Sequence, residues 1–227
     1  MVPEEKIKVR IKFSKTGDLM YISHLDLART MQRIILRAGL DIWYSEGFNP
    51  QPKMVFAVPL PTGVESVCEL LDIKLNSYMS NEEIMERLNS NFPADMRAIE
   101  VYTPEVKLKE IEYIDYTIKL TSPKINEETP KQILDLLSSK CMILKKTKSG
   151  EKEVDISEYI PKIKTQGEEN SVEISAVIAS GNEKNLSPEL LIEAIRKYLG
   201  IMTSETTEEY YSIMRNEMLN GSFEIFR

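Results

Sequence analysis

The 227-residue chain carries a formal net charge of −7, with 42% hydrophobic and 29% charged residues, the balance of an ordinary globule with a real core. That charge argues against broad, sequence-indifferent binding to nucleic acid or anionic membrane, while leaving room for a local basic face. Two cysteines, Cys68 and Cys141, are too few and too far apart for a disulfide framework or a zinc site.

No apolar run approaches membrane-spanning length, and Met1–Lys6 lacks an apolar signal region, so a cytoplasmic protein without membrane contact is expected. Residues 6–13 alternate basic and apolar, which predicts a strand with one buried face and a lysine- and arginine-lined outer face. Ser14–Asp18 reads as a turn. Ser23 is placed to cap a helix, with Asp26 three residues on imitating a capping box. Ala28, Met31, Ile35 and Ala38 recur at helical spacing, and Gly39 supplies the stop. Arg29, Arg33 and Arg37 form a stripe on the opposite face, which suits either solvent or a phosphate partner.

Leu40–Tyr44 reads as the second strand. The stretch from Trp43 to Gly63 holds the only Trp and four of the eleven prolines, a density that fixes a loop's path. Ordered loops of this kind carry binding groups, and Glu46, Asn49, Gln51 and Lys53 crowd into it. Within it, Met54–Val58 is short and apolar enough for a buried strand. Val67–Leu75 predicts a strand, Ser80 caps a helix through Ile84, Leu88 and Phe92, and Asp95–Tyr102 closes the half with a strand. Leaving Met54–Val58 aside, the order is strand, helix, strand, strand, helix, strand.

Residues 103–110 are charged and proline-initiated, as a linker should be. The order then repeats: a strand over Tyr113–Leu120, a helix opened by Ile125–Pro130, and a strand starting at Met142. A charged turn over Lys145–Glu153 and a short excursion through Val154–Pro161 follow. Val172–Ile178 predicts a strand. Ser187-Pro188-Glu189 starts a helix that stops at Gly200, and Glu209–Arg215 reads as the last strand, with a helix as its competitor. The predicted architecture is α+β, two tandem ferredoxin-like (βαββαβ) halves with mainly antiparallel sheets: residues 1–102, a linker at 103–110, and residues 111–227.

No phosphate loop, dinucleotide fingerprint or metal-ligand cluster is present, and no cofactor is expected. His24 is the only histidine, so any imidazole acid–base chemistry rests on it. The reading favours a non-enzymatic role. If the chain were catalytic, His24 assisted by Tyr44 would move the proton. The geometry of a helix start beside a proline-rich loop predicts that His24, Arg29, Arg33, Glu46, Asn49 and Lys53 converge on one ligand-binding cleft.

With Ser23-His24-Leu25-Asp26, residues 44–53 and Pro59–Ser66 in view, nearly the whole chain resembles the bacterial radical-SAM-associated proteins of unknown function. They occur free-standing or as the C-terminal part of cobalamin-binding radical SAM proteins. The resemblance implies an accessory or substrate-presenting module whose partner is a radical SAM protein. Free-standing genes of the family often neighbour a ribonuclease and ribosomal-protein genes, which hints at RNA. Family members usually carry a histidine where Gln51 stands. The radical SAM cysteine triplet is missing, so the chain cannot itself hold that iron–sulfur cluster. A looser, fold-level similarity to the CRISPR repeat-processing endoribonucleases supports the alternative of an RNA-binding protein or metal-independent endoribonuclease. Their glycine-rich C-terminal loop is reduced here to Asn220-Gly221-Ser222-Phe223.

Overall fold

The computed structural model of the protein describes residues 7–147, 150–203 and 207–227. It is a mixed α+β fold with four α-helices among the described residues and mostly antiparallel strand pairing. The chain divides into two compact units, Met1–Leu108 with Arg227, and Lys109–Phe226. No helix among the described residues is long and apolar enough to cross a membrane.

In the first unit, β1 (Ile7–Lys15) is followed by a 3-10 turn at Gly17–Tyr21 and by α1 (His24–Arg37). Lys6, where the sequence reading starts this strand, lies outside the described residues. The predicted cap is present: the Ser23 hydroxyl accepts the Asp26 N–H at 3.1 Å and donates to Asp26 Oδ2 at 2.7 Å, a hydroxyl–carboxylate bond in place of the box's reciprocal backbone bond. Gly39 ends the helix at φ +67°, a conformation in which a Cβ would be strained. Then come β2 (Met54–Phe56), β3 (Val64–Leu75), α2 (Asn81–Asn89) capped by Ser80, and β4 (Met96–Tyr102). Every pairing is antiparallel: β4 with β1, β1 with β3, and β3 with β2.

Leu40–Tyr44 is not the regular second strand. It makes only isolated bridges, Ile42 to Leu75 and Tyr44 to Pro52, while Met54–Phe56 takes the ladder against Leu71–Ile73. Pro50 and Pro52 lack the N–H that a longer hairpin would need, so the chain reaches the edge of β3 in two short pieces.

The core of this unit joins Val9, Ile11 and Phe13 of β1 and Leu71, Ile73 and Leu75 of β3 to Leu27, Met31, Ile34 and Ile35 of α1 and Ile84 and Leu88 of α2. The opposite face of β1 departs from the sequence reading. Lys8 is exposed, but Arg10 is fully buried and holds Asp72 with two bonds of 2.6 and 2.9 Å.

In the second unit, β5 (Tyr113–Thr121) leads to α3 (Thr129–Ser138), whose start lies later than Ile125 because Pro130 occupies the first turn. β6 (Met142–Thr147) and β7 (Gly150–Asp155) form a separate two-stranded hairpin, so the strand predicted at Met142 does not join the larger sheet. Residues 148 and 149 of the predicted charged turn lie outside the described residues. A 3-10 turn at Ile156–Tyr159 leads into β8 (Lys162–Glu168), a strand the sequence reading lacks. Then follow β9 (Ser171–Ala179), α4 (Glu189–Leu199) and β10 (Tyr210–Leu219).

Antiparallel ladders join β10 to β5, β5 to β9, and β9 to β8. The elements of the larger sheet thus repeat the first unit's order, with the last, first, third and second strands side by side. Gly167 in β8 permits a close approach: a Cβ there would lie 2.5 Å from the Ser171 carbonyl oxygen.

Asp115 on β5 faces Glu217 on β10. Burial pushes the Asp115 carboxyl above the ordinary carboxylate range and the Glu217 charge adds to this, while a hydrogen bond with Asn216 opposes it. A carboxyl raised in the folded state binds its proton more tightly there than in the unfolded chain. Its contribution is therefore lost as pH rises from the ordinary carboxylate range through the raised value. Asp115→Asn is expected to raise the melting temperature at neutral pH, with the gain fading below about pH 4; melts of both proteins across this range check it.

Candidate functional site

The Ser23 cap sets the first residues of α1 at the rim of the core, and β2 brings the proline-rich segment alongside. Between them lies an open groove of about 610 Å³. Its helix wall is His24, Leu25, Ala28, Arg29 and Gln32, and its other wall and floor come from Gln51, Pro52, Met54, Val55, Phe56, Ala57 and Pro59. The floor is apolar and the polar groups sit on the rim.

His24 is exposed and meets Phe56 edge to face at 5.3 Å between ring centroids, and Phe56 in turn packs edge-on to Phe13 at 6.5 Å. The His24 imidazole makes no hydrogen bond among the described residues. Arg29 Nη1 lies 3.4 Å from Asp26 Oδ1, an exposed pair of small energetic weight.

The loop from Ser45 to Gln51 is closed by its own bonds. The Ser45 N–H donates to the Gln51 carbonyl at 2.8 Å, and the Gln51 N–H donates to the Ser45 hydroxyl at 2.9 Å. The Gln51 side chain donates to Asn49 Oδ1 at 3.2 Å. Gly47 stands at φ +121°, so the turn needs glycine there. Phe48 projects fully into solvent at the tip.

Of the six residues expected to converge, the groove brings together His24 and Arg29. Arg33, Glu46 and Asn49 are exposed elsewhere, and Tyr44, the expected catalytic assistant, packs against the core. Lys53 is directed to the other side of the sheet, where its ammonium lies 5.7 Å from the centre of the Trp43 ring. The expected single cleft is therefore smaller and more apolar. Sequence reasoning missed Leu25, Gln32 and Pro59; Gln32 sits three residues after Arg29, and that helical spacing was the available signal.

The second unit has depressions of about 480 and 640 Å³ with mixed charge on their walls. On its surface Tyr113 stacks on Phe223 at 4.5 Å, and Lys162 lies 4.2 Å over the Phe223 ring. Among the described residues no group of three or more His, Cys, Asp or Glu side chains is placed to hold a metal ion.

The chain belongs to the family described as "Uncharacterized protein conserved in bacteria (DUF2344)", which matches residues 8–188. No curated protein matches it. Among solved structures, a chain of a Cbf5-Nop10-Gar1 complex is similar at 10% identity and a TM-score of 0.49. That match covers 95% of this chain and 50% of the other, so the chain spans about half the length of that relative. An unknown protein from Galdieria sulphuraria is similar at 8% identity and a TM-score of 0.26, covering 93% and 99% of the two chains. Likeness at this level carries no functional argument.

Ser23→Ala would remove the cap that positions His24 and Arg29. It is expected to cost about 1 kcal/mol, read as a lower urea midpoint with an unchanged slope.

Proposed function

We propose that the chain is a non-enzymatic accessory module that presents a substrate to a radical SAM enzyme in the cytoplasm. The observation that carries this reading is the chemistry of the groove. Its sole histidine rests edge-on against a phenylalanine, and its floor is apolar. General acid–base catalysis calls for a base oriented by a second polar group, whereas an open apolar trough with a polar rim supplies shape and burial. The resemblance of Ser23–Asp26, residues 44–53 and Pro59–Ser66 to the radical-SAM-associated proteins supports the choice of partner. The partner would bring the cluster, since Cys68 and Cys141 are both buried and belong to different units.

We read the two units as tandem ferredoxin-like halves. The equal strand order in both supports this, with the β6–β7 hairpin as an insertion before the second strand of the second half. In such a half the first helix and the edge strand border one open trough, which is where the groove lies.

Co-purification with the radical SAM protein of the same genome tests the proposal. The wild-type chain should co-elute with it. Leu25→Asp with Arg29→Ala, both at exposed positions, should weaken the complex by about tenfold or more while leaving the melting temperature nearly unchanged. Absence of a complex, or one indifferent to these substitutions, would contradict the reading.

A further inference from the structure

A different surface lies on the face of the first unit's sheet that points away from α1 and α2. Side chains alternate along a strand, and Val9, Ile11, Leu71, Ile73 and Leu75 belong to the core, so Lys8, Asp72 and Lys74 project the other way. The register sets Lys8 directly opposite Lys74. On the far side of β3, the Trp43 N–H donates to the Lys74 carbonyl at 2.8 Å, and the Lys53 N–H donates to the Trp43 carbonyl at 2.9 Å. One cross-strand row therefore runs Lys8, Lys74, Trp43, Lys53. At about 4.8 Å per strand it is ~14 Å long.

The side chains agree with the backbone. The ammonium groups of Lys74 and Lys53 lie 5.0 and 5.7 Å from the centre of the Trp43 ring. Lys8, Lys53 and Lys74 make no ion pair among the described residues. Two carboxylates close to the row in sequence are engaged elsewhere. Asp72, next along the same face of β3, is held by both arms of Arg10. Asp41, two residues before Trp43, accepts from Asn76 at 2.9 Å and from Ser77 at 3.2 Å.

Like charges directly opposite on neighbouring strands destabilise a sheet. A chain with 36 acidic residues against 29 basic ones has carboxylates to spare, yet among the described residues none is paired with this row. We infer that the row is an anion-binding strip for single-stranded nucleic acid, with phosphates on Lys8, Lys74 and Lys53 and a base against the half-buried Trp43 ring. Cations flanking an aromatic ring suit a chain that alternates phosphate and base. An acidic peptide would use the cations and leave the ring without a role. The strip stands apart from the α1 groove and does not depend on what that groove binds.

Trp43 is the only tryptophan, so its fluorescence in the full chain reports on the strip directly. Titration with a short oligouridylate should quench it saturably. The logarithm of the affinity should fall with the logarithm of salt at a slope of about −2, near −0.7 for each of three phosphates. Lys8→Gln with Lys74→Gln should weaken binding by about tenfold or more and cut the slope to about −0.7. The same pair should keep or raise the melting temperature, because a repulsive contact is removed. Leu25→Asp with Arg29→Ala, in the groove, should leave the titration unchanged. Absence of quenching by the oligonucleotide, or affinity and slope indifferent to the lysine substitutions, would overturn the inference. Polyglutamate acting as strongly at equal charge concentration would overturn the nucleic-acid assignment in favour of an acidic protein partner.

Discussion

The ion pair between Arg10 and Asp72 is the constraint on which the first unit depends. Arg10 sits at the centre of β1, bonded through Nε and Nη2 to the Asp72 carboxylate and through Nη2 to the Val106 carbonyl at 2.9 Å. Burial lowers its proton affinity, yet the contacts with Asp72 and Tyr102 outweigh this, and its pKa lies above the ordinary value. Tyr102 lies opposite it on β4, its own pKa raised by burial and held back by the guanidinium. A slip of one residue in either ladder would turn the guanidinium into the apolar core, so the pair specifies register more than it adds stability.

Both proposed surfaces follow from that register. With Leu71 and Ile73 held inward, β2 sets Phe56 on the core side, where it meets His24 and floors the groove. Lys74 is turned outward to meet Lys8 and Trp43 on the other face. The proline-rich segment serves both faces. Its backbone closes on β3 through Trp43, and its prolines and apolar residues wall the groove. Surfaces on opposite faces of one sheet would let two different molecules be held at once, as the proposed role requires.

Much of this fold was legible in the sequence wherever one interaction dominated. Alternation marked β1 and β9, apolar runs between turns marked β3 and β5, and caps at Ser23 and Ser80 with stops at Gly39 and Gly200 bounded three helices. β8 escaped because it is an edge strand whose only large apolar residue is Ile163, and its place is set by tertiary contacts such as the Thr165 hydroxyl donating to the Pro130 carbonyl at 2.7 Å. In the first unit Met54–Val58 was legible as a strand, but the place of second strand went to Leu40–Tyr44, because prolines divide the segment that reaches β3. His24 stood out as the only histidine and Arg29 as part of a stripe at every fourth residue, and both line the groove. The lysine row was not legible, since Lys8, Trp43, Lys53 and Lys74 become neighbours only through strand register, which sequence spacing does not carry.

A double-mutant cycle on Arg10 and Asp72 tests the dependence on this pair most directly. Asp72→Leu alone should cost about 3–5 kcal/mol, because it leaves the fully buried Arg10 guanidinium without its carboxylate. Arg10→Met should cost less, since the Asp72 side chain keeps contact with water at 26% exposure, and the double variant should recover much of the larger loss. A coupling of about 1.5 kcal/mol or more in urea unfolding is the predicted result. Costs that add to within about 0.5 kcal/mol would contradict it, for they would make the two residues independent.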